Sequence, residues 1–139
     1  MAGGEKNVQA ELANQLAPLC ARPDIQLVVL FGSAATGRTH RRSDLDLAIL
    51  GDQPLDLTEL TNQVIILTHR NEADVVDLRR ASPLLAMEVA RSGRPLYARS
   101  PGLYAQFCSL AYRRYVDTAK LREAQKAAIT DFLRERGLA

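Results

Sequence analysis

The chain has 139 residues, of which 47% are hydrophobic and 24% charged, a balance typical of one globular domain with an ordinary core. Its 18 basic and 16 acidic side chains give a net charge of +2, which does not indicate a protein that binds nucleic acid or membranes through its total charge. Met1 to Lys6 carry no apolar signal segment, no apolar run is long enough to span a membrane, and Cys20 and Cys108 lack zinc or disulfide spacing. We therefore expect a soluble cytoplasmic protein with reduced thiols, no membrane contact and no direct nucleic-acid binding.

The first half of the sequence predicts one helix and two strands. Apolar residues recur at helical spacing from Val8 to Cys20. The β-branched apolar run from Ile25 to Phe31 predicts a buried strand, because it is short and ends at a glycine. A polar and basic stretch follows from Gly32 to Ser43. The alternating pattern of residues 45–50 then predicts a second strand, which places Asp46 inside a strand.

The middle of the sequence predicts two helices separated by a third strand. Asp56, followed three residues later by a glutamate, is a capping box that opens a helix ending at about Arg70. Residues 74–78 have the composition of a strand. Ser82 is followed by proline at the first helical position, and together with Gly93 it frames the next helix.

The C-terminal part predicts a long helix. Ser100 and Pro101 repeat the start signal, and no proline follows before Arg136. Unbroken, this helix would be about 50 Å long, whereas about 30 Å spans a small domain, so part of it would overhang the core and need another chain. A break near Asp117 that folds the tail back as two core helices is an equal alternative. The residues expected on the core are Leu103, Tyr104, Phe107 and Leu110, and those expected to need a partner are Ile129, Phe132 and Leu133.

These elements predict an α/β fold. We expect a small mixed β-sheet with flanking helices, formed by residues 1–98, and a helical C-terminal extension of the same domain, formed by residues 99–139.

Four residues at the end of one strand and the start of the next predict the chemistry. Asp44 and Asp46 are two apart, so in a strand their carboxylates lie on one face. Adjacent like charges favour a hard divalent cation, and Mg²⁺ binds carboxylates together with substrate phosphates. Gly32 lets backbone amides approach a phosphate, and Ser33 adds a hydroxyl donor. The motif therefore predicts nucleoside triphosphate chemistry with Mg²⁺.

A third carboxylate is expected from the third strand, as base or metal ligand. Asp74 and Asp77 lie three apart and face opposite sides of a strand, so only one of them can join the pair. We favour Asp74, and we interpret Asp77 as a turn or capping residue. In the connecting loop, Arg38, Arg41 and Arg42 are candidates for phosphate contact or are solvated.

Gly-Ser, ten residues and Asp-x-Asp is a pattern that resembles the minimal nucleotidyltransferases of the DNA polymerase β superfamily. Gly32-Ser33 and Asp44-Leu45-Asp46 match it in full. The resemblance covers most of residues 25–98. It continues through Ala73 to Leu78, Ala81 to Leu85 and Gly93 to Tyr97.

Within that superfamily the sequence is most similar to MntA-type antitoxins. These are paired with a HEPN-domain ribonuclease toxin and silence it by transferring AMP from ATP to a toxin tyrosine. The resemblance implies that Asp44 and Asp46 bind Mg²⁺, that Asp74 completes the acidic triad, and that Gly32 with Ser33 holds the triphosphate.

The chain also departs from the family pattern, and two other functions stay open. Family members often carry an arginine before the glycine that corresponds to Gly37, where this chain has Thr36. Either Arg38 replaces this phosphate contact, or turnover is weak and binding does most of the neutralising. The first alternative is thus a non-catalytic antitoxin whose terminal helix docks on the toxin. The second is transfer to a small molecule such as an antibiotic, against which the short chain argues.

Overall fold

One mixed β-sheet organises the part of the chain that the computed structural model describes, residues 2–32 and 45–138, with side chains from residue 8 onward. The strands are β1 (Ile25–Phe31), β2 (Leu45–Gly51), β3 (Ala73–Asp77) and β4 (Arg94–Ala98). Their order is β3-β2-β1-β4, with β1 antiparallel to both of its neighbours and β2 parallel to β3. The predicted α/β fold with a small mixed sheet is confirmed.

Helices cover both faces of this sheet. They are α1 (Ala2–Gln15), α2 (Ala17–Cys20), α3 (Leu57–Thr68), α4 (Pro83–Ser92), α5 (Leu103–Asp117) and α6 (Ala119–Glu135). In the described ranges, none of them combines the length and apolarity needed to cross a bilayer. The first predicted helix is interrupted at Leu16, close to Pro18, whose ring disfavours helical backbone in the residue before it.

The alternation of side chains along the strands gives the sheet two separate cores. The α3-side core lies under α1, α2 and α3 and consists of Leu12, Leu16, Leu19, Ile25, Val28, Leu30, Leu45, Leu47, Ile49, Leu60 and Val64. The α4-side core lies under α4 and α5 and consists of Leu27, Val29, Phe31, Ala48, Leu78, Ala81, Ala86, Val89 and Ala111. Successive residues of β1 and β2 therefore point to different cores.

Two predicted helix starts are confirmed by their capping hydrogen bonds. The Asp56 carboxylate accepts from the backbone N–H of Glu59 at 3.2 Å, and α3 begins there. The Ser82 hydroxyl accepts from the backbone N–H of Leu85 at 3.2 Å, and α4 begins there. These local bonds satisfy donors that a helix terminus leaves unpaired, which is why short sequence patterns predicted them.

The edge strand β4 was not predicted, because Pro95 lies inside it. Proline cannot donate a ladder hydrogen bond, so a proline in a short run argues against a strand. β4 pairs with β1 on one side only, and an edge strand tolerates this missing donor.

The C-terminal tail breaks but does not fold back. α5 and α6 meet at Thr118, one residue after the predicted break. No residue of α6 is buried, and Ile129 and Phe132 are 59% and 56% exposed. Tyr104 and Phe107 pack on the α4-side core, whereas the expectation for Leu110 was wrong. The small Ala111 faces the core instead, and Leu110 turns to solvent.

The side chain of Asp77 is buried on the α3 side of the sheet. Its carboxylate accepts from the backbone N–H groups of Leu55 at 3.1 Å and Arg79 at 2.9 Å. Asp77→Ala leaves both donors without this acceptor, so we expect a loss of about 2–4 kcal/mol in the free energy of unfolding, measured by urea denaturation.

The exposed Asp74, on the same strand, provides the matched control. Asp74→Ala should change stability by no more than about 0.5 kcal/mol, as is usual at exposed positions. Equal stability of the two variants would contradict a structural role for Asp77.

Candidate functional site

Two carboxylates meet where β2 and β3 run side by side. The parallel ladder places Asp46 directly opposite Asp74. Asp46 lies between Leu45 and Leu47, which both belong to the α3-side core, so its side chain lies on the α4 face of the sheet. Paired residues of neighbouring strands point the same way, and the strands are about 4.8 Å apart. Asp46 and Asp74 therefore present two carboxylates to one space.

The two acidic residues of β3 have different surroundings. Asp74 is exposed near the beginning of the strand. Asp77 is 3% exposed, faces the α3 side, and accepts two backbone hydrogen bonds. The structure thus brings Asp74 together with Asp46 and leaves Asp77 on the other face of the sheet, as the spacing predicted.

Gly32 closes the site on the side of β1. It follows Phe31, which pairs with Asp46 across the β1–β2 ladder. Its φ of +73° lies in the left-handed region that favours glycine. A Cβ at this position would overlap Oδ2 of Asp46 and lie 3.2 Å from its Cγ. Glycine is therefore required here both by the backbone angle and by the space that the Asp46 carboxylate occupies.

Other predicted site residues lie outside the described residues. These are Ser33 and Asp44, together with the loop positions Thr36, Gly37, Arg38, Arg41 and Arg42. Within the ranges that the structure describes, no group of three or more potential metal-ligating side chains occurs. The described part of the site therefore consists of Gly32, Asp46 and Asp74.

The donors present fit a hard divalent cation. Carboxylate oxygens are the ligands that Mg²⁺ prefers, and Mg²⁺ commonly uses one or two of them and takes substrate phosphates for other positions. Two carboxylates at the distance of neighbouring strands repel one another unless a cation lies between them. Asp46 and Asp74 therefore suit an ion that also holds a phosphate group.

The backbone of a cationic residue lies at the same end of the sheet, on a strand that was not predicted. Arg94 begins β4, and its backbone pairs with Leu30, two residues before Gly32. Its position depends on β4, a strand that was not predicted because it contains Pro95. Only recognition of β4 would have found it. The tail approaches here too, because the hydroxyl of Tyr104 donates to the Gly93 carbonyl oxygen at 3.2 Å.

Curated relatives of the chain are protein adenylyltransferases. MntA of Shewanella oneidensis is 40% identical over 78 residues, a match that covers 54% of this chain and 55% of that protein. MntA of Aphanizomenon flos-aquae is 27% identical over 128 residues, covering 84% of this chain and 85% of that protein. The match with the first relative thus spans little more than half of its length.

Solved structures of similar fold are toxin–antitoxin complexes. A chain from a toxin–antitoxin crystal structure with AMP-PNP superposes with a TM-score of 0.71 at 29% identity, covering 90% of this chain and 98% of that one. A chain from the complex of the tri-AMPylated Shewanella oneidensis HEPN toxin with its MNT antitoxin gives a TM-score of 0.65 at 27% identity. That superposition covers 91% of this chain and 98% of the other.

A protein-family model also matches the chain. The model described as polymerase beta, nucleotidyltransferase, matches residues 14–102, which include all four strands and the whole described site. The chain therefore belongs to the polymerase beta nucleotidyltransferase family.

Proposed function

We propose that this chain is an antitoxin that transfers AMP from ATP to a tyrosine of a cognate HEPN ribonuclease. The observation that carries the proposal is the register that sets Asp46 opposite Asp74, beside Gly32, in a member of a nucleotidyltransferase family. The relatives named as protein adenylyltransferases and the AMPylated HEPN toxin in a similar complex support the choice of reaction and acceptor.

Asp44, Asp46 and Asp74 would hold Mg²⁺, and Gly32 with Ser33 would hold the triphosphate. When bound, the ion neutralises charge that develops on the phosphates during transfer. Gly32 contributes by leaving open the space in which the Asp46 carboxylate lies. Because glycine has no side chain, backbone N–H groups can approach a phosphate oxygen closely there.

Asp74 is suited to the proton transfer because it is the exposed member of the pair. A bond forms between the tyrosine oxygen and the α-phosphorus of ATP, and the bond from that phosphorus to the β-phosphate oxygen breaks. Pyrophosphate leaves with the electron pair, and the Asp74 carboxylate accepts the tyrosine proton.

A second function, neutralisation by binding, is favoured by the exposed helix α6. Its apolar residues Ile129 and Phe132 lie more than half exposed on a helix that contributes no buried residue. Exposed apolar groups clustered on one helix mark a protein-binding surface. We propose that α6 binds the HEPN ribonuclease and brings the acceptor tyrosine to the site, so binding and catalysis act together.

Replacement of either carboxylate by its amide should abolish transfer. We expect Asp46→Asn and Asp74→Asn to lower the rate of AMP transfer at least about 100-fold, because each removes a charge that stabilises the transferred phosphate or accepts the proton. The measurement is incorporation of labelled AMP from ATP into the purified ribonuclease with Mg²⁺.

Asp52, at the opposite end of β2, is the control, and Asp52→Asn should retain transfer. If the wild type puts no label on the ribonuclease and Asp46→Asn neutralises it as well as the wild type does, only the non-catalytic antitoxin is left.

Gly32→Ala tests whether transfer depends on the space that Gly32 leaves for the Asp46 carboxylate. A side chain at positive φ costs about 1–3 kcal/mol, and at this position it also displaces the Asp46 carboxylate. Gly102→Ala is the matched control, since Gly102 has φ +86° but a Cβ there would contact nothing within 4 Å.

We expect both glycine variants to lose similar stability in urea denaturation and only Gly32→Ala to lose AMP transfer. Equal transfer by the two variants would contradict the close fit of Gly32 and Asp46.

Charges on α6 should weaken binding of the ribonuclease. We expect the double variant Ile129→Asp/Phe132→Asp to raise the dissociation constant about tenfold or more by isothermal titration calorimetry, because burial of a charge opposes association. Ile66→Asp is the control, since Ile66 is 71% exposed on α3. The docking proposal fails if the double variant and the control bind equally well.

A further inference from the structure

An exposed apolar stripe on α6 is flanked by two arginines. Arg122, Ile129, Phe132 and the cap residue Arg136 follow one another at spacings of seven, three and four residues. With about 3.6 residues per turn, these spacings place all four side chains on one side of the helix. Ile129 and Phe132 are more than half exposed. These four residues are called the α6 stripe below.

Contacts with aromatic rings show where the two guanidinium groups lie. Cζ of Arg136 lies over the Phe132 ring, 5.7 Å from its centroid. Cζ of Arg122 lies 3.9 Å from the centroid of the Tyr115 ring, and Nη1 of Arg122 donates to the Thr118 hydroxyl. In the part of the chain that the structure describes, neither arginine forms an ion pair. The stripe therefore carries an uncompensated positive charge at each end.

The acidic residues of α6 lie on the other side of the helix. At about 100° per residue, Glu123, Asp131 and Glu135 are all roughly 100° or more from the middle of the stripe. Glu123 and Asp131 line a shallow hollow on that side. Asp131 is also within 3.8 Å of Arg134. The carboxylates of α6 are therefore poorly placed to offset the charge of the stripe.

The positive charge of the whole chain belongs to this C-terminal segment. Residues 99–139 contain eight basic and four acidic side chains, a net charge of +4, whereas the whole chain has a net charge of +2. Residues 1–98 therefore have a net charge of −2. The sheet and the tail differ in the sign of their charge, so they favour surfaces of opposite sign.

Burial of the apolar residues in an interface would also remove water from the arginines. The guanidinium of Arg136 lies over the ring of Phe132, so a partner that covers this ring covers the charge as well. A cation that loses its water without gaining an anionic partner opposes association. A partner that fits the stripe must therefore supply carboxylates next to the surface that covers Phe132.

We infer that the α6 stripe docks on a face of the HEPN ribonuclease that is apolar at its centre and carries aspartate or glutamate side chains opposite Arg122 and Arg136. This inference rests on the proposed function. The two arginines are fourteen residues apart, which at about 1.5 Å per residue separates the two acidic groups of the partner by roughly 20 Å. Arginine and aromatic side chains commonly dominate the affinity of protein interfaces.

The composition of the stripe favours a protein over RNA or a membrane. RNA would supply phosphates for the arginines but little apolar surface for Ile129. Clusters that bind anionic membranes usually contain about four to eight basic residues, and the stripe has two. An acidic protein face with an apolar centre fits both kinds of side chain.

A pair of substitutions at Ile129 tests the sign of the partner's charge. Ile129→Lys and Ile129→Glu both remove the apolar side chain, and lysine and glutamate have similar helix propensity, so the variants differ mainly in charge. By isothermal titration calorimetry with the purified ribonuclease at about 50 mM salt, we expect Ile129→Glu to have a dissociation constant at least about fivefold above that of Ile129→Lys. The gap should narrow at about 500 mM salt, because salt screens charges.

Ala127 provides the matched control on the opposite side of α6. It is exposed and lines the shallow hollow with Glu123 and Asp131. Ala127→Lys and Ala127→Glu should both bind the ribonuclease as the wild type does, within about twofold. Circular dichroism and thermal melting verify that each variant keeps its helices.

A second pair of variants tests the arginines themselves. We expect Arg136→Gln to raise the dissociation constant about fivefold, because it leaves a carboxylate of the partner without its cation. Arg134→Gln removes the same charge on the other side of the helix and should leave the dissociation constant unchanged. Equal effects of these two variants would mean that total charge, and not the stripe, determines binding.

Other results would also overturn the inference. If Ile129→Glu binds as tightly as Ile129→Lys, or more tightly, the docking face is not acidic. The proposed function stands in that case if the wild type transfers labelled AMP to the ribonuclease. Binding of single-stranded RNA or of phosphatidylcholine–phosphatidylglycerol vesicles that is lost in Arg136→Gln would assign the stripe to phosphate groups. If the wild type neither binds nor labels the ribonuclease, the proposed function itself fails.

Discussion

The pairing of β2 with both of its neighbours is the constraint on which the site depends. On one side the antiparallel ladder sets Phe31 opposite Asp46 and brings Gly32 against its carboxylate. On the other side the parallel ladder sets Asp74 opposite the same residue. A shift of either ladder by one residue would turn one group to the other face, because side chains alternate along a strand. The register is held by the α3-side core, so burial of leucines in β2 fixes where the carboxylates lie.

The same alternation gives the two acidic residues of β3 different surroundings. Asp77 faces the α3 side, where its carboxylate ties the segment before α3 to the turn after β3 through two backbone donors. Asp74 faces the α4 side and remains exposed. A buried carboxylate that accepts two backbone hydrogen bonds is poorly placed to bind an ion or accept a proton from a substrate. The structural role of Asp77 and the accessibility of Asp74 therefore both follow from their three-residue separation.

Sequence reasoning succeeded where the determining interactions are local. The caps at Asp56 and Ser82 involve neighbours three residues away, and the apolar run from Ile25 to Phe31 specifies its own strand. It failed for β4, since Pro95 argues against a strand and only the edge position makes it acceptable. The alternation of side chains predicted that Asp74 could join Asp46 on one face. The strand order that brings Arg94 beside Gly32 was not predicted, because it depends on long-range pairing that no local pattern encodes.

The site residues and helix α6 are stabilised in different ways in this fold. The site residues lie on strands whose register is fixed by two buried cores, so their geometry changes only if the core changes. Helix α6 contributes no buried residue, so its surface is free of that packing constraint. Substitutions on α6 therefore alter its exposed surface at little cost to the fold, whereas the sheet keeps the carboxylates in place. Under the proposed function, such a chain can adapt its tail to one partner and keep its reaction unchanged, because the residues proposed to select the acceptor are not those proposed to hold the nucleotide.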